Sequence, residues 1–488
     1  MCTQTNILDI CQFRAKADRG STLRIILKHT NSRKEIVIVK VLFVTPQVGR
    51  KTTGDYVRTW QMEPLPIATL VALTPDDVDV TYVDERLGEE INFEEHYDLV
   101  AIPVETYTAK RAYEISTAFC RRGVQTIFGG YHVVLIPEEA RLYATSICSN
   151  NAEGVWAEVI RDARVGRLKP VYETPVGFSH PFVIPNRKIF GSRDYFKLSC
   201  VETGRGCPFR CNFCSIAAAT NSTYTSRAID SVLADIASLK NKNVFFVEDN
   251  FVGNMRHIKD LLKEVARMKI RWVGQGTLTM ARDEKLLGLM RDSGCMGVLI
   301  GFESLSHETL RLMNKQFNTQ VGNYEDLIKR LHSYGIALYG TFVFGYDSET
   351  LQSIDDTAKK AIDFGLFMAA FNHLMPFPGT PLYHQFVREG RMKNNKWWLD
   401  PEFRFGEVPF RPKQMTAEQL HEQCIKARRT FYGYRAIASR GISNIVGNCG
   451  SAAKAVAFVY INSLLRREIG EKDGLPLGNE ATSPGVIA

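Results

Sequence analysis

Short apolar segments alternate with stretches of helical periodicity along most of this chain. The first segment, IVIVKVLFVT at residues 36–45, is rich in β-branched residues and ends at Pro46, which is typical of a buried parallel strand. Helical stretches are predicted at 67–73 and 109–122, and further strands at 78–84, 97–104 and 124–132. This pattern predicts a doubly wound, Rossmann-like α/β domain over residues 38–165.

A second alternation begins at residue 198 and predicts a separate unit. Its predicted strands are 197–204, 243–249, 270–277, 296–304, 338–345 and 369–376. Stretches with apolar residues three or four apart, as at 228–240 and 283–294, predict helices between them. Six strand–helix repeats predict a partial (β/α)6 barrel of the TIM type over residues 198–384. In such folds the chemistry is carried by the loops that follow the strands.

Three segments fall outside these units. Residues 166–197 are rich in Pro, Gly and aromatic residues and are predicted to be a linker, whereas 385–488 is predicted to be mostly helical with a disordered end. Residues 1–37 form a basic N-terminal extension: the first 40 residues hold eight Lys or Arg and three Asp or Glu, in a chain of net charge +8. We expect a frayed, solvated end, or else a contact for an anionic surface.

Composition excludes several classes of protein. The chain is 45% hydrophobic and 23% charged, as in ordinary globular proteins. No apolar run reaches the roughly 20 residues of a membrane span, and the start shows no secretory signal, so we expect a cytoplasmic protein. Peripheral membrane association through the basic extension stays open. The body of the chain has no concentration of basic residues, so no nucleic-acid partner is expected.

Three cysteines lie close together in the segment TGRGCPFRCNFCS at residues 203–215. The chain has eleven cysteines, an odd number that argues against a disulfide framework, and only Cys207, Cys211 and Cys214 are regularly spaced, as C-x3-C-x2-C. A structural zinc site would need a fourth ligand, and the sequence offers no second C-x2-C pair or H-x3-H motif. An iron–sulfur cluster also usually has four cysteines, so three would leave one iron of a four-iron cluster open to a small molecule.

The stretch CPFRCNFC, with Phe213 as its aromatic residue, resembles the signature of radical S-adenosylmethionine (radical SAM) enzymes. The resemblance implies a [4Fe-4S] cluster on the three cysteines and S-adenosylmethionine at its open iron. An electron from an external donor of the flavodoxin or ferredoxin type would then cleave S-adenosylmethionine to a 5′-deoxyadenosyl radical.

The same resemblance implies that residues at the carboxyl ends of the barrel strands bind S-adenosylmethionine. The residues concerned are Glu248 and Asp249 at the amino group, Gln275 nearby, Glu303 at the ribose hydroxyls, Gly345 beside the adenine, and Phe213 in the cysteine loop. Taken singly, each polar residue could equally be an ordinary strand-end cap. Their shared position at strand ends favours the binding role.

A doubly wound domain followed by such a barrel resembles the cobalamin-dependent branch of the family, and the end of the chain resembles the hopanoid C-2 methylase subgroup. The stretches that carry this resemblance are 64–73, 128–140, 152–156, 375–383 and 417–433. The resemblance covers residues 39–435. The D-x-H-x-x-G motif, whose histidine replaces the lower base of cobalamin, is absent. Cobalamin is still expected, with Gly129, Gly130 and His132 as candidate contacts.

Two reactions follow from the resemblance. The favoured one is cobalamin-dependent methylation of an unactivated carbon in a bulky apolar or natural-product substrate. The alternative is a radical cyclisation, oxidation or rearrangement without methyl transfer, with the first domain kept as a scaffold. A non-enzymatic electron carrier is disfavoured, because a carrier does not need an open iron. The expected partner is therefore a small-molecule substrate.

Overall fold

The computed structural model describes residues 39–50, 61–174, 182–446 and 452–479. The basic extension predicted at 1–37 and the final residues 480–488 of the predicted disordered end lie outside these ranges. The described residues form two six-stranded sheets, each with parallel strands, and a helical C-terminal region. The predicted parallel α/β architecture is confirmed.

The first sheet has the strand order β2-β1-β3-β4-β5-β6. Its strands are β1 (Val39–Thr45), β2 (Val78–Asp84), β3 (Leu99–Pro103), β4 (Gln125–Gly129), β5 (Ser146–Ser149) and β6 (Val171–Glu173). The order reverses between β1 and β3. Ligands of doubly wound sheets bind at such a reversal, outside the carboxyl ends of the strands.

The alternation in the sequence does not predict two strands of this sheet. β5 and β6 have four and three residues, too few to show a period. β6 lies in the segment 166–197, predicted to be a linker, and pairs with β5 in parallel. The first sheet therefore extends beyond residue 165, and the linker prediction is wrong at 171–173, because pairing with β5 rather than a local pattern makes this segment a strand.

Helices cover both faces of the first sheet. They are α1 (Leu65–Leu73), α2 (Ala109–Cys120), α3 (Tyr131–Leu135), α4 (Pro137–Ala140) and α5 (Trp156–Arg164). Side chains of β1 alternate between the faces, as the period of a strand requires. Val41 and Phe43 join one core with residues of α1 and α5. Leu42 and Val44 join a core that continues into the second sheet, so the two sheets share buried apolar surface.

The second sheet has the order β14-β13-β12-β11-β10-β7. Its strands are β7 (Ser199–Val201), β10 (Asn243–Phe246), β11 (Arg271–Gly276), β12 (Cys295–Glu303), β13 (Ala337–Phe344) and β14 (Met368–His373). All six match predicted strands. The sequence pattern does not predict the antiparallel pair β8 (Gly204–Gly206) and β9 (Tyr224–Ser226), which flanks the cysteine loop.

Helices lie between the strands of the second sheet, and one more, α13, follows the last strand. They are α6 (Ser215–Ala219), α7 (Ile229–Ser238), α8 (Met255–Val265), α9 (Glu284–Asp292), α10 (His307–Leu312), α11 (Tyr324–Ser333), α12 (Leu351–Asp363) and α13 (Pro381–Arg388). Because the strands are parallel, the loops that follow them lie at one edge of the sheet.

The C-terminal region returns to the first sheet. Its helices are α14 (Ala417–Phe431), α15 (Tyr434–Val446) and α16 (Ala452–Arg467). Beyond them Leu475 and Leu477 are buried, and the amide of Gly478 donates a hydrogen bond to the carbonyl of Val48, at 2.8 Å. The segment thus ends packed against the loop after β1. Within the described ranges, no helix combines the length and apolarity needed to cross a membrane.

Candidate active site at the carboxyl ends of the strands

The cysteine loop begins at a β-hairpin that requires glycine. Gly206 has a φ of +87°, and a Cβ there would collide with the carbonyl oxygen of Thr223. A Cβ on Gly204 would collide with the hydroxyl of Tyr224. The two strands therefore approach closely only because both positions lack a side chain. β8 ends directly before Cys207, so its pairing with β9 fixes where the loop starts.

Asn212, between the second and third cysteines, anchors the loop to neighbouring segments. Its backbone amide donates to the carbonyl of Met313 at 3.0 Å, and its side-chain amide donates to the carbonyl of Leu312 at 2.7 Å. Its side-chain oxygen accepts a hydrogen bond from the hydroxyl of Tyr346 at 2.8 Å. Sequence reasoning missed this role, because an asparagine in a loop has no distinguishing local signal.

The three thiols lie in a partly buried loop. Burial raises the pKa of all three, that of Cys211 to about 12. The side-chain amide of Asn250 donates to the sulfur of Cys207 at 3.6 Å. In the part of the chain that the structure describes, no three His, Cys, Asp or Glu side chains converge as ligands of a single metal ion. Three sulfur donors fit a polynuclear cluster better than a mononuclear zinc site, which would need a fourth ligand.

Glu248 follows β10 and carries a buried carboxylate. In the described structure neither of its side-chain oxygens has a hydrogen-bond partner. Burial raises its pKa well above the ordinary value, and the charges of Glu202 and Asp249 raise it further. The amide of Gln275, at the end of β11, donates to the backbone carbonyl of Glu248 at 2.6 Å. A buried carboxylate without a partner is costly, and a cationic ligand group would satisfy it.

Asp249 is less available than Glu248. Its carboxylate accepts a hydrogen bond from the amide of Gly206 at 2.8 Å and another from the hydroxyl of Tyr131. Burial raises its pKa. Since Tyr131 follows β4 of the first sheet, Asp249 links that sheet to the hairpin before the cysteine loop. The geometry favours a positioning role over direct contact with a ligand.

Glu303 ends β12 in a strained conformation. Its φ is +62°, and the register of β12 against β13 shifts between Gly301 and Glu303, as at a β-bulge. Bulges commonly aim a side chain towards a functional site. A Cβ on Gly301 would collide with the carboxylate of Glu303, so this glycine makes room for it.

The Glu303 carboxylate is paired with Lys315, at 2.8 Å from its ammonium group. Burial by itself lowers the pKa of Lys315. The nearby Glu303 and Cys211 have a larger effect in the opposite direction, so the pKa of the lysine is raised. Lys315 therefore stays cationic beside the cysteine loop. The sequence analysis does not identify Lys315, because it lies between strands, 12 residues after Glu303, and no local pattern links the two positions.

Gly345 ends β13 in a turn. Its φ is +116°, and its amide donates to the carboxylate of Glu349 at 2.8 Å. Burial raises the pKa of Glu349 to about 7. A Cβ on Gly345 would lie 2.8 Å from the side chain of Leu420. The glycine is thus explained by the turn and by close packing of α14, and its amide is already occupied.

His132 follows β4 at the carboxyl edge of the first sheet. Its side chain is fully buried, with ring nitrogens 3.2 Å from the hydroxyl of Thr106 and 3.0 Å from that of Tyr113. Burial lowers its pKa, which favours the neutral ring. Both nitrogens are therefore occupied in the described structure, which argues against the predicted contact between His132 and cobalamin.

The two glycines before His132 differ in their surroundings. Gly130 has a φ of +99°, and a Cβ there would lie 2.7 Å from the carbonyl oxygen of Val104. At Gly129 a Cβ would meet no heavy atom within 4 Å. Gly130 is thus required by the backbone, whereas Gly129 leaves space open beside the end of β4.

A cavity of about 390 Å³ lies beside the cysteine loop and the ends of β13 and β14. Tyr107, after β3, and Phe213, from the cysteine loop, both line it, so the two sheets contribute to one wall. The remaining lining residues come from the ends of β13 and β14, from the segments before and after α13, from α14 and from the C-terminal segment. They are Val343, Asn372, His373, Leu374, Met375, Phe377, Phe405, Gly406, His421, Cys424, Ile425, Arg428 and Asp473. The lining is mainly apolar with a few polar groups, which suits a small organic ligand.

Comparisons with known proteins agree with this geometry. Residues 201–361 match the family described as the radical SAM superfamily. The chain is 31% identical over 394 residues to bacteriochlorophyllide d C-12(1)-methyltransferase of Chlorobaculum tepidum, covering 77% of this chain and 84% of that protein. It is 25% identical over 221 residues to hopanoid C-2 methylase of Rhodopseudomonas palustris, covering 43% and 42%.

Among solved structures, the fold resembles that of TsrM from Kitasatospora setae, described as a radical S-adenosylmethionine methyltransferase with cobalamin and a [4Fe-4S] cluster bound. The TM-score is 0.60 at 17% identity, and the match covers 88% of this chain and 99% of that one. At this identity the likeness establishes the fold.

Proposed function

The chain belongs to the radical SAM superfamily, and from this premise we propose that it is a cobalamin-dependent C-methyltransferase acting on an unactivated carbon of a bulky, largely apolar substrate. The match to the Chlorobaculum methyltransferase supports this reaction. The match extends over 394 residues. Neither sheet with its helices is that long, so the match includes parts of both. The bulky, apolar substrate class is supported by the names of the two relatives and by the apolar cavity lining.

The observation that carries the proposal is the unpartnered carboxylate of Glu248 beside the three-thiol loop. When bound, the cluster and S-adenosylmethionine supply a 5′-deoxyadenosyl radical and cobalamin supplies a methyl group. Cys207, Cys211 and Cys214 would hold the cluster. Glu248 would accept hydrogen bonds from the ammonium group of S-adenosylmethionine, which removes the cost of its burial.

The Glu303–Lys315 pair would keep two opposite charges fixed beside the same ligand. We propose that Glu303 accepts hydrogen bonds from the ribose hydroxyls, because a carboxylate paired on one side still has acceptor positions free. Lys315 would offset the negative charge of the thiolates, because it is cationic and close enough to Cys211 to be affected by it. Gln275 and Asp249 would hold the Glu248 segment in place.

We propose that cobalamin lies between the two carboxyl edges. The reversal between β1 and β3 supports this position, as does the open space beside Gly129. Tyr107 and Phe213, one from each unit, would exclude water from the shared cavity. Because both ring nitrogens of His132 are hydrogen-bonded to Thr106 and Tyr113, its imidazole would not bind cobalamin.

We further propose a division into a cobalamin-binding unit, which includes β6, and a partial (β/α)6 barrel over 198–384 followed by the helical region. The parallel order of the second sheet and its intervening helices support the barrel. An external flavodoxin- or ferredoxin-type donor would supply the electron.

The test is an anaerobic assay with reconstituted protein, hydroxocobalamin, a reductant and methyl-labelled S-adenosylmethionine. Bacteriochlorophyllide d and a hopanoid are the first substrates to try, because they represent the two relatives. We expect labelled product with one 5′-deoxyadenosine and one S-adenosylhomocysteine per methyl group. The Cys211→Ala variant is the matched control and should form neither 5′-deoxyadenosine nor labelled product. Deoxyadenosine without S-adenosylhomocysteine, in protein that retains no cobalamin, would favour a radical reaction without methyl transfer.

A further inference from the structure

The hairpin of α15 and α16 has one face fixed against the body of the protein. Phe458 and Asn462 of α16 are buried, and the ring of Phe458 packs edge-on against Phe367 at 5.1 Å. The amide of Asn462 donates to the carbonyl of Phe367 at 3.2 Å. Arg440 of α15 is also buried, and donates to Asn462 at 3.0 Å. These contacts fix the rotation of α16 and determine which side chains point outward.

The outward face of α16 is apolar and exposed. Val456, Val459 and Tyr460 are 69%, 52% and 66% exposed, and their spacing of three and four residues places them on one stripe. Tyr434, at the start of α15, is 73% exposed. Single exposed apolar residues are ordinary on protein surfaces, whereas a continuous stripe on one helix marks an interaction surface.

All charged residues of the hairpin are basic. Residues 434–467 contain no Asp or Glu, and their basic residues are Arg435, Arg440, Lys454, Arg466 and Arg467. Arg435 and Arg467 are exposed, and the guanidinium of Arg466 lies over the ring of Tyr434 at 4.2 Å. Basic groups with aliphatic stems beside tyrosines and valines are typical of helices that lie in the headgroup region of a membrane.

We propose that the outward face of the α15–α16 hairpin docks on an anionic lipid surface. The charge argues for lipid over a second copy of the chain, because a symmetric pair would bring two basic, acid-free faces together. The inference stands on the surface alone and does not depend on the reaction.

The test is flotation of the full-length protein with vesicles of phosphatidylcholine, with or without phosphatidylglycerol. We expect binding to the anionic vesicles that weakens as salt rises, because exposed charges are screened. The triple variant Val456→Ser, Val459→Ser, Tyr460→Ser should lose binding by about tenfold or more, since buried apolar area drives insertion. A matched triple variant at exposed apolar positions elsewhere, Val165→Ser, Phe182→Ser and Ile184→Ser, should bind as the parent protein does.

Further measurements distinguish docking through the hairpin from unfolding, from self-association and from binding through the basic extension. Circular dichroism and cluster content should be unchanged in both triple variants, and Arg435→Gln with Arg467→Gln should weaken binding only to anionic vesicles. A chain that lacks residues 1–35 should still float. The proposal is overturned if the parent protein does not float, if deletion of 1–35 alone abolishes binding, or if the hairpin variant binds normally. It is also overturned if light scattering shows that the hairpin substitutions instead convert a dimer to a monomer.

Discussion

Replacing Glu248 by glutamine tests the most specific feature of the site. The substitution keeps the shape of the side chain and removes its negative charge. In the described structure the carboxylate is buried without a hydrogen-bond partner, beside Glu202 and Asp249. It therefore destabilises the ligand-free protein when it is ionised and stabilises a bound cation. The substitution should act in opposite directions on stability and on binding.

The magnitude of each effect follows from this geometry. A hydrogen bond to a charged group contributes about 1.5–3 kcal/mol, so the Kd for S-adenosylmethionine should rise about 10- to 150-fold in Glu248→Gln. Stability has the opposite sign. The pKa of Glu248 is raised in the folded state, so the folded chain keeps a proton that the unfolded chain loses above the ordinary value of 4.5. Its contribution to folding then declines by about 1.4 kcal/mol per pH unit as the pH rises from 4.5 towards the raised value.

The assay compares parent and variant after anaerobic reconstitution. Equilibrium dialysis gives the Kd for S-adenosylmethionine, and urea unfolding of the cluster-free protein at several pH values gives the free energy of unfolding. Glu422→Gln, at an exposed position of α14, is the matched control and should change neither quantity. Iron content confirms that the site is otherwise intact.

The reasoning is refuted if Glu248→Gln binds S-adenosylmethionine as tightly as the parent while its cluster is intact. It is also refuted if the variant is less stable than the parent at pH 8, because the ionised carboxylate would then have a favourable partner. A change in both quantities in the control would point to a general effect of surface charge.

Three further predictions concern the cysteine loop, the Glu303–Lys315 pair and Glu349. Cys211→Ala should prevent assembly of a four-iron cluster, as measured by iron and sulfide content, whereas stoichiometric zinc in the parent protein would contradict the assignment. Lys315→Met should lower the free energy of unfolding by about 3–5 kcal/mol, because it leaves the Glu303 carboxylate buried and unpaired. Adding Glu303→Gln should restore most of that loss, and additive losses in urea unfolding would argue against the pair. The pKa of Glu349 is about 7, against an ordinary value of 4.5, so the parent should lose about 3 kcal/mol of stability as pH rises between these values. In Glu349→Gln the free energy of unfolding should vary less with pH over this range. If it varies as in the parent protein, the raised pKa of Glu349 is not the cause.

Local patterns in the sequence predict the strands and the cysteine loop. The apolar runs that end at Thr45 and Glu303 are long enough to show a strand, and both are found in the sheets. The three cysteines lie within eight residues, so their proximity follows from covalent connection alone. Such features are predictable because the residues responsible are neighbours along the chain.

Other hydrogen bonds join segments that are distant in the sequence. The hydroxyl of Tyr346 reaches Asn212 across 134 positions of sequence, and Glu114 accepts a hydrogen bond from the amide of Asn479, 365 positions away. The second of these contacts places the C-terminal segment against the first sheet, although the sequence pattern predicts disorder near there. No local period encodes a contact of this kind.

His132 shows most clearly what the sequence alone determined and what tertiary structure decided. The sequence determined that a histidine follows β4, at a loop where doubly wound sheets bind ligands. Packing decided that its ring turns inward to Thr106 and Tyr113, because a buried imidazole is stable only when its nitrogens have partners. The reverse holds for Glu248, which has the same strand-end setting and no side-chain partner in the described structure. Residue type and position thus restricted both to the same edge, and only the three-dimensional arrangement of neighbours gave one side chain hydrogen-bond partners and left the other without them in the described structure.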